Sequence, residues 1–375
     1  MIRRLLGGLS LIFVGIFIYI ALSLFFSQQS FISAAAQALL GRREALYYEK
    51  IDDQTVQCLL CPRMCLLTNG MRGFCRVREA QEGKLYTLVY GTPCSYHIDP
   101  IEKKPMYHML PSTTSFSIAT AGCNLRCKFC QNWTISQQPP EETDNIRMAP
   151  QEVVQAALKN KCASIAYTYS EPIIFYEYML ETAKLAKENG IKNVMVTAGY
   201  INEEPLRTLC KYIDAANVDL KGFDEKYLRK VCGQELAPLL RALKIFKEEG
   251  VWLEITNLIV PGLNDDLATI EKMCIWIRDN LGAQTPLHFS RFTPMYQLKN
   301  LYQTPVSTLQ KAKEVAQRVG LKYVYIGNVP GSLAQNTYCP DCAALLIERT
   351  GYLIQQNNVI GGKCKFCGRQ IPGIW

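Results

Sequence analysis

The chain has 375 residues, of which 49% are hydrophobic and 20% are charged, and its formal net charge is +8 at pH 7. This composition provides enough apolar material for a large folded core and excludes wholesale disorder. The basic excess is modest and scattered, which suits a surface near anionic lipid or an acidic substrate and makes nucleic-acid binding the less favoured alternative.

The chain opens with an apolar segment. Leu5–Phe26 carries no charged residue, and at about 1.5 Å per residue a helix of this length is long enough to cross a bilayer core. The segment predicts a single-pass transmembrane helix, with cleavage near the small residues 33–36 as an alternative. Arg3 and Arg4 favour a cytoplasmic N-terminus, which would put the rest of the chain outside. Arg42, Arg43 and Lys50 on the other side of the segment soften this bias.

Eleven of the 16 cysteines fall into three groups, at residues 58–75, 123–130 and 339–367. CxxC-type spacing brings thiolates together, so it favours metal binding over the disulfide framework of a secreted protein. The first group comprises Cys58, Cys61, Cys65 and Cys75. It is suited to zinc or an iron–sulfur cluster, and the alternative is a redox or merely structural set.

Residues 115–327 alternate β-like apolar runs with helical patterns. The predicted strands are Ser115–Thr120, Ser164–Tyr169, Asn193–Thr197, Ala216–Lys221, Trp252–Ile259, Leu287–Phe292 and Lys322–Ile326. The predicted helices include Gln151–Asn160, Ile173–Glu188, Leu267–Leu281 and Val306–Val319. Strands joined by helices indicate a parallel α/β sheet, curled by right-handed crossovers into a full or partial barrel. In such folds the chemistry lies at the carboxyl ends of the strands.

The second cysteine group follows the first of these strands. Cys123, Cys127 and Cys130 have the spacing CxxxCxxC, and no His, Asp or Glu stands near them as a fourth ligand for zinc. Three thiolates on a four-iron cubane leave one iron open, and that iron can chelate the amino and carboxylate groups of S-adenosylmethionine (SAM). The motif resembles the signature of the radical SAM superfamily, in which Phe129 would pack against the adenine.

Further candidate residues lie at the ends of later strands. Ser170 and Glu171 stand where the superfamily often has a GGEP-like motif, with the acid directed at the SAM amino group, although a helix-start Glu is the plainer alternative. Asp219 and Lys221 alternate to one side of their strand and are candidates for gripping SAM, or else form an ordinary ion pair. Weaker candidates are Thr197 beneath SAM and His288 facing the substrate.

The last group, Cys339, Cys342, Cys364 and Cys367, forms two CxxC pairs separated by 21 residues. Gly361, Gly362 and Gly368 supply the turns, so the segment is typical of a zinc ribbon or rubredoxin-like pair of knuckles that binds zinc or iron. With so few residues between the knuckles, the metal is expected to be the main stabiliser of this module.

Residues 58–375 together resemble the AmmeMemoRadiSam-system radical SAM enzymes, relatives of pyruvate formate-lyase activating enzyme. The stretches that carry this resemblance are Cys58–Cys65, Asp99–Pro105, Cys123–Trp133, Tyr167–Pro172, Asp219–Phe223 and Tyr325–Val329. The resemblance implies a partial (β/α)6-type barrel, one 4Fe-4S cluster, SAM and hydrogen abstraction. It does not account for a membrane segment.

The predicted organisation has four parts. They are a transmembrane helix and linker at 1–50, a Cys-rich module at 51–105, the partial barrel at 106–334 and a zinc-ribbon or rubredoxin-like module at 335–375. Low-potential chemistry needs a reducing donor of the flavodoxin or ferredoxin type. We therefore expect a single-pass membrane protein with its catalytic domain on the cytoplasmic face.

Three functions remain open at this point. The first is hydrogen abstraction from a protein or peptide, in the manner of a glycyl-radical activating enzyme. The second is radical modification of a small molecule or RNA, with AMMECR- or Memo-like partner proteins. The third is a non-enzymatic, membrane-tethered metal-binding module, which a three-cysteine cluster with an open iron argues against.

Overall fold

The computed structural model describes residues 41–375. Its first part consists of six short antiparallel strands in two three-stranded sheets, ordered β1-β6-β5 and β2-β3-β4. The strands are β1 (Gly41–Glu44), β2 (Tyr48–Lys50), β3 (Thr55–Cys58), β4 (Leu66–Thr68), β5 (Arg78–Gln81) and β6 (Lys84–Tyr90). This N-terminal layer carries the first cysteine group.

An eight-stranded sheet forms the centre of the molecule, and its strands lie side by side in chain order from β7 to β14. They are β7 (Ser95–Pro100), β8 (Thr114–Ala119), β9 (Ser164–Tyr167), β10 (Lys192–Thr197), β11 (Ala215–Asp219), β12 (Trp252–Ile259), β13 (Leu287–Arg291) and β14 (Val324–Gly327). Strands β8–β14 are parallel, whereas β7 pairs antiparallel with β8 at one edge. The central sheet therefore begins before residue 106.

Helices connect the parallel strands, as crossover connections require. The α-helices are α1 (Trp133–Ser136), α2 (Pro150–Lys159), α3 (Tyr176–Glu188), α4 (Glu203–Cys210), α5 (Glu225–Tyr227), α6 (Leu236–Glu248), α7 (Leu267–Leu281) and α8 (Val306–Val319). Short 3-10 turns lie at Ile101–Lys103, Pro140–Glu142, Pro172–Phe175 and Leu333–Gln335, and a π-turn lies at Leu228–Cys232.

Two faces of the sheet bury different partners, because successive side chains of a strand point to opposite sides. On β9, Ile165 and Tyr167 join the large core formed with the helices, whereas Ala166 joins a smaller core with Ile101, Met106 and Met109. The connection between β7 and β8 thus covers the face opposite the helices.

The C-terminal residues add small antiparallel sheets to that second face. Their strands are β15 (Thr337–Tyr338), β16 (Leu345–Thr350), β17 (Leu353–Asn357), β18 (Val359–Ile360) and β19 (Lys363–Cys364). The Arg349 side chain donates to the Tyr107 carbonyl oxygen at 2.8 Å, and Met109 pairs with Ile374 in an isolated bridge. This module is therefore anchored directly to the central sheet.

The predicted fold class requires a correction, because it included a transmembrane helix. No helix within residues 41–375 is long and apolar enough to cross a membrane. The segment that carried the prediction, Leu5–Phe26, lies outside the described residues. The expected single-pass membrane localisation and the membrane as a partner are accordingly withdrawn.

Candidate active site

The loop that carries Cys123, Cys127 and Cys130 leaves the carboxyl end of β8. Gly122 opens it with a φ of +91°, and a Cβ there would lie 2.5 Å from the Cys75 carbonyl oxygen and 2.7 Å from Val77 Cγ1. Only glycine fits here, because the Cβ of any other residue would clash with these atoms. Any other residue would also be strained by the positive φ. The N-terminal layer thus presses directly on the start of the cysteine loop.

The π-turn that follows α5 holds the other side of the loop. Backbone amides of Arg126 and Lys128 donate to the carbonyl oxygens of Cys232 and Val231, both at 2.9 Å. These bonds fix the backbone between Cys123 and Cys130, so the thiols are presented by a loop held on two sides.

Two of the three thiols have a polar neighbour that suits a thiolate. Leu125 N–H donates to Cys123 Sγ at 3.3 Å, and Cys130 Sγ lies 3.1 Å from Ser136 Oγ. Burial raises the pKa of the Cys123 thiol well above its usual value, with the Glu171 charge adding to this effect. Metal binding at this loop is therefore coupled to the release of protons.

A cavity of about 460 Å³ opens beside the loop. Its volume is within the range of ligand sites in proteins. It brings together nine of the ten residues that the sequence predicted for the cluster, SAM and the substrate. These are Cys123, Cys127, Phe129, Cys130, Ser170, Glu171, Thr197, Asp219 and Lys221.

Glu171 is buried in the cavity wall at 4% exposure. Its carboxylate accepts from the Ala198 N–H at 2.8 Å and from the Thr197 hydroxyl. Burial raises the pKa of Glu171 to about 7, against the opposing effect of these hydrogen bonds. Thr197 therefore lines the cavity and also holds the Glu171 carboxylate in place. The hydroxyl of Ser170, the residue before Glu171, has no hydrogen-bond partner within residues 41–375.

Asp219 and Lys221 form the second charged pair of the wall. Lys221 Nζ donates to Asp219 Oδ2 at 2.6 Å. Burial lowers the pKa of Lys221, but the Asp219 carboxylate and the neighbouring cysteines outweigh it and raise the pKa overall. Lys221 is therefore a fixed cation in the wall of the cavity that the three thiols also line.

The sequence interpretation missed a network behind the Tyr169 position. Tyr169 has a φ of +63°, in the region that favours glycine. Its hydroxyl donates to Asp99, and Lys104 Nζ lies 4.3 Å from its ring centroid and 2.5 Å from Asp99 Oδ2. Asp99 and Lys104 belong to Asp99–Pro105, a stretch that the sequence analysis used only for the family resemblance. The acidic and basic residues of that stretch are the signal that could have identified them.

Other wall residues come from distant parts of the chain. Lys103, Ser290, Asn328 and Tyr352 line the same cavity. Asn328 follows β14, and Tyr352 is at the turn between β16 and β17 of the C-terminal module. No local pattern in the sequence indicates these contacts.

His288 is not among the residues that line the cavity. Its Nε2 lies 2.7 Å from Glu254 Oε2, and its ring packs on Tyr107 and Tyr325. The structure thus places His288 in a buried network between the sheet and the C-terminal module, away from the three thiols.

The four C-terminal cysteines converge on one point. Cys339 Sγ lies 3.6 Å from Cys367 Sγ, and Cys342 Sγ lies 3.8 Å from Cys364 Sγ. Thiolates around a tetrahedral zinc ion stand about 3.8 Å apart. Within residues 41–375, no other group of three or more His, Cys, Asp or Glu side chains has its ligand atoms all within 4.8 Å of one another. The geometry fits a single metal ion.

A family model agrees with this arrangement. The Radical SAM superfamily model matches residues 117–274, which include the cysteine loop, Glu171, Asp219 and Lys221. Residues 117–274 are a domain of the radical SAM superfamily, whose cofactors are a 4Fe-4S cluster and SAM. The cavity suits both cofactors. It offers three thiols, a serine hydroxyl without a hydrogen-bond partner in residues 41–375, a buried acid and a buried cation.

The chain is also similar to individual proteins in sequence and in structure. It is 50% identical to "Uncharacterized protein MJ0808" of Methanocaldococcus jannaschii over 331 residues, which cover 88% of this chain and 98% of that protein. It is 24% identical over 235 residues to the pyruvate formate-lyase-activating enzyme of Staphylococcus epidermidis, covering 58% of this chain and 92% of that enzyme. A radical SAM methyltransferase from Sphaerobacter thermophilus aligns with 77% of each chain at 13% identity and a TM-score of 0.45, too low to bear on function.

Proposed function

We propose that this protein cleaves SAM reductively and removes a hydrogen atom from a protein or peptide substrate. One observation carries the proposal. Three thiols, the Glu171 carboxylate and the Asp219–Lys221 pair line one cavity at the carboxyl ends of neighbouring parallel strands. Similarity to activating enzymes of glycyl-radical type supports the substrate class.

The chain's own residues have distinct roles in this proposal. Cys123, Cys127 and Cys130 would hold the cluster and leave one position open. Glu171 would accept hydrogen bonds from the N–H groups of the SAM amino group. Lys221, held by Asp219, would bind the SAM carboxylate or ribose.

Bound there, the cluster and SAM would supply the one-electron chemistry that removes a hydrogen atom from the substrate. The protein contributes position and exclusion of water. Phe129 is 6% exposed and packs with Leu125 and Ala198, so it offers an apolar surface for the adenine. An apolar wall also limits side reactions of a radical.

The test uses the full chain, reconstituted without oxygen, reduced with dithionite and mixed with SAM. We expect 5′-deoxyadenosine from the wild type and none from Cys127→Ala. Cys162→Ser is the matched control, because Cys162 is equally buried but lies outside the site. Equal nucleoside from the wild type and Cys127→Ala would overturn the proposal.

A second candidate is radical modification of a small molecule, with AMMECR- or Memo-like proteins as partners. The observation in its favour is Tyr352, which the C-terminal module brings to the cavity wall. Lys103 and Lys104 add basic groups to the same wall, so an acidic small substrate fits it. Tyr352→Ala would raise the KM for such a substrate, whereas a protein substrate would be modified faster through the wider opening.

A further inference from the structure

The four cysteines of the N-terminal layer converge on a cavity of their own. Cys58, Cys61, Cys65 and Cys75 all line it, together with Arg63 and Arg78. It is separate from the SAM cavity, with which it shares no lining residue. Four thiols that face one space offer a complete ligand set for a metal group.

The spacing of the thiols distinguishes this site from the C-terminal one. No three of the N-terminal sulfur atoms lie within 4.8 Å of one another. A Cβ on Gly73 would be 3.8 Å from both Cys65 Sγ and Cys75 Sγ, so these two sulfurs are at most twice that distance apart. Because no three of the four sulfurs stand as close together as those around one tetrahedral ion, the set is too open for such an ion. It suits a cluster, whose own iron and sulfide atoms stand between the thiolates.

The surroundings of the cavity favour an anionic occupant. Arg78 is 1% exposed, and its Nη1 lies 3.7 Å from Cys58 Sγ. Its other amino group pairs with Glu177. The buried Nε of Arg78 has no hydrogen-bond partner within the part of the chain that the structure describes. Buried donors are rarely left unpaired, and a cluster sulfide is an acceptor for this one.

A second cation strengthens the argument. Arg63 lies over the Phe74 ring at 3.9 Å, and its Nε donates to the Asn124 carbonyl oxygen at 3.1 Å. A four-iron cluster with four thiolates carries a net negative charge. Two arginines and one carboxylate around the cavity leave one positive charge to compensate it.

The site also touches the loop of the SAM cluster. The Cys75 carbonyl oxygen is the atom that a side chain on Gly122 would strike, at 2.5 Å. Asn124, the residue after Cys123, lines the cavity of the four N-terminal thiols. A group bound there would stabilise the loop of the first cluster.

We propose that Cys58, Cys61, Cys65 and Cys75 hold a second, fully ligated four-iron cluster beside the SAM cluster. All four irons would be covered by protein thiolates, so this cluster would not bind SAM. It is independent of the C-terminal site, whose closer sulfurs fit a single ion.

The first measurement is iron and acid-labile sulfide in the anaerobically reconstituted full chain. We expect about eight of each per chain, against about four of each if the SAM cluster stands alone. The Cys123→Ala/Cys127→Ala/Cys130→Ala variant should retain about four of each. Its reduced cluster should give an electron paramagnetic resonance signal that SAM leaves unchanged.

Two further variants on that triple background locate the retained cluster. Adding Cys65→Ser and Cys75→Ser should abolish the labile sulfide, whereas adding Cys94→Ser, a thiol outside all three groups, should leave it. Circular dichroism checks that the variants are folded. A folded triple variant without labile sulfide, or two zinc ions per wild-type chain, would overturn the proposal. SAM cleavage by the wild type is measured separately, so this result would leave the proposed function intact.

Discussion

Tyr169 illustrates how one side chain can replace the glycine that a backbone conformation favours. A non-glycine residue at a φ of +63° costs about 1 kcal/mol or more. The Tyr169 hydroxyl bond to Asp99 and the Lys104 ammonium over its ring offset that cost. The departure from a GGEP-like motif therefore changes the residues behind the site while it keeps Glu171 in the cavity.

Glu171→Gln tests the acid in that cavity. A hydrogen bond to a charged group contributes about 1.5–3 kcal/mol, so we expect SAM affinity to fall about tenfold to a hundredfold with the cluster content unchanged. Equilibrium binding of SAM is the measurement. Glu188→Gln, at the exposed end of α3, is the control, and equal affinities for both variants would contradict the assignment.

The same residue predicts a pH dependence. Burial raises the pKa of Glu171 to about 7, so the carboxylate becomes ionised as the pH rises from 6 to 8. Because the ionised form accepts hydrogen bonds from the SAM amino group more strongly than the protonated form does, SAM affinity of the wild type should increase over this range. In Glu171→Gln the increase should disappear, and a wild-type profile that falls with pH would contradict this role.

At the scale of elements, the parallel strands were accessible from sequence because each is a short buried apolar run. Strand β12 (Trp252–Ile259) has the predicted bounds, and its residues are almost all buried. Strand β7 (Ser95–Pro100) was missed because it is polar, largely exposed and ends in proline. An antiparallel edge strand of this kind is recognised by its partner, which its own residues do not reveal.

The candidate site divides in the same way. The convergence of Cys123, Glu171 and Asp219 on one cavity could be anticipated because each stands at the carboxyl end of a recognisable strand. Tyr352 could not, because its position depends on how a separate module packs. His288 lies outside the cavity because it is near the amino end of β13, and the sequence gives no sign of its buried partner Glu254.

Gly122 offers a test of how the N-terminal layer supports the cysteine loop. Gly122→Ala should lower the free energy of unfolding by about 2–4 kcal/mol, because the backbone strain and the contact with the Cys75 carbonyl add together. Gly250→Ala is the matched control, with a φ of +75° and open space around the added Cβ. It should cost only about 1 kcal/mol.

Chemical denaturation measures both variants. Iron content after reconstitution should fall in Gly122→Ala and remain unchanged in Gly250→Ala. Equal losses of stability in the two variants would show that the close approach at Cys75 has no energetic effect.

At the scale of the whole molecule, His108 joins the central sheet to the C-terminal module. Its Nδ1 lies 2.8 Å from the Pro372 carbonyl oxygen, and its Nε2 lies 2.6 Å from the Tyr325 hydroxyl. A neutral ring donates to the first and accepts from the second. Burial lowers the pKa of His108 from 6.5 to about 4, so the folded protein holds this ring in its neutral form.

Stability should therefore decline in acid. The unfolded chain binds a proton near pH 6.5 and the folded chain only near 4, so this contribution is present above pH 6.5 and is lost as the pH falls toward 4. Between pH 7.5 and 5 we expect a loss of about 2 kcal/mol from His108. Denaturation of His108→Gln should show a correspondingly weaker pH dependence, whereas His97→Gln, at an exposed position, should behave as the wild type.

Removal of the C-terminal metal should also be felt at the SAM cavity. Cys342→Ser removes one of the four converging thiols, and we expect loss of the bound metal and a several-fold fall in SAM cleavage, with cluster iron unchanged. The reason is that Tyr352 belongs to the same small module. Metal analysis and the nucleoside assay measure the two effects, and Cys94→Ser is the control.

The position of Tyr352 has a thermodynamic consequence in the other direction. The coupling free energy between two binding sites is reciprocal. If the bound metal raises the affinity of the cavity for a ligand that packs on Tyr352, that ligand must raise the affinity of the four C-terminal thiols for the metal by the same factor. The rate at which a chelator strips the metal would then report occupancy of the cavity, and compounds could be screened as substrates without turnover.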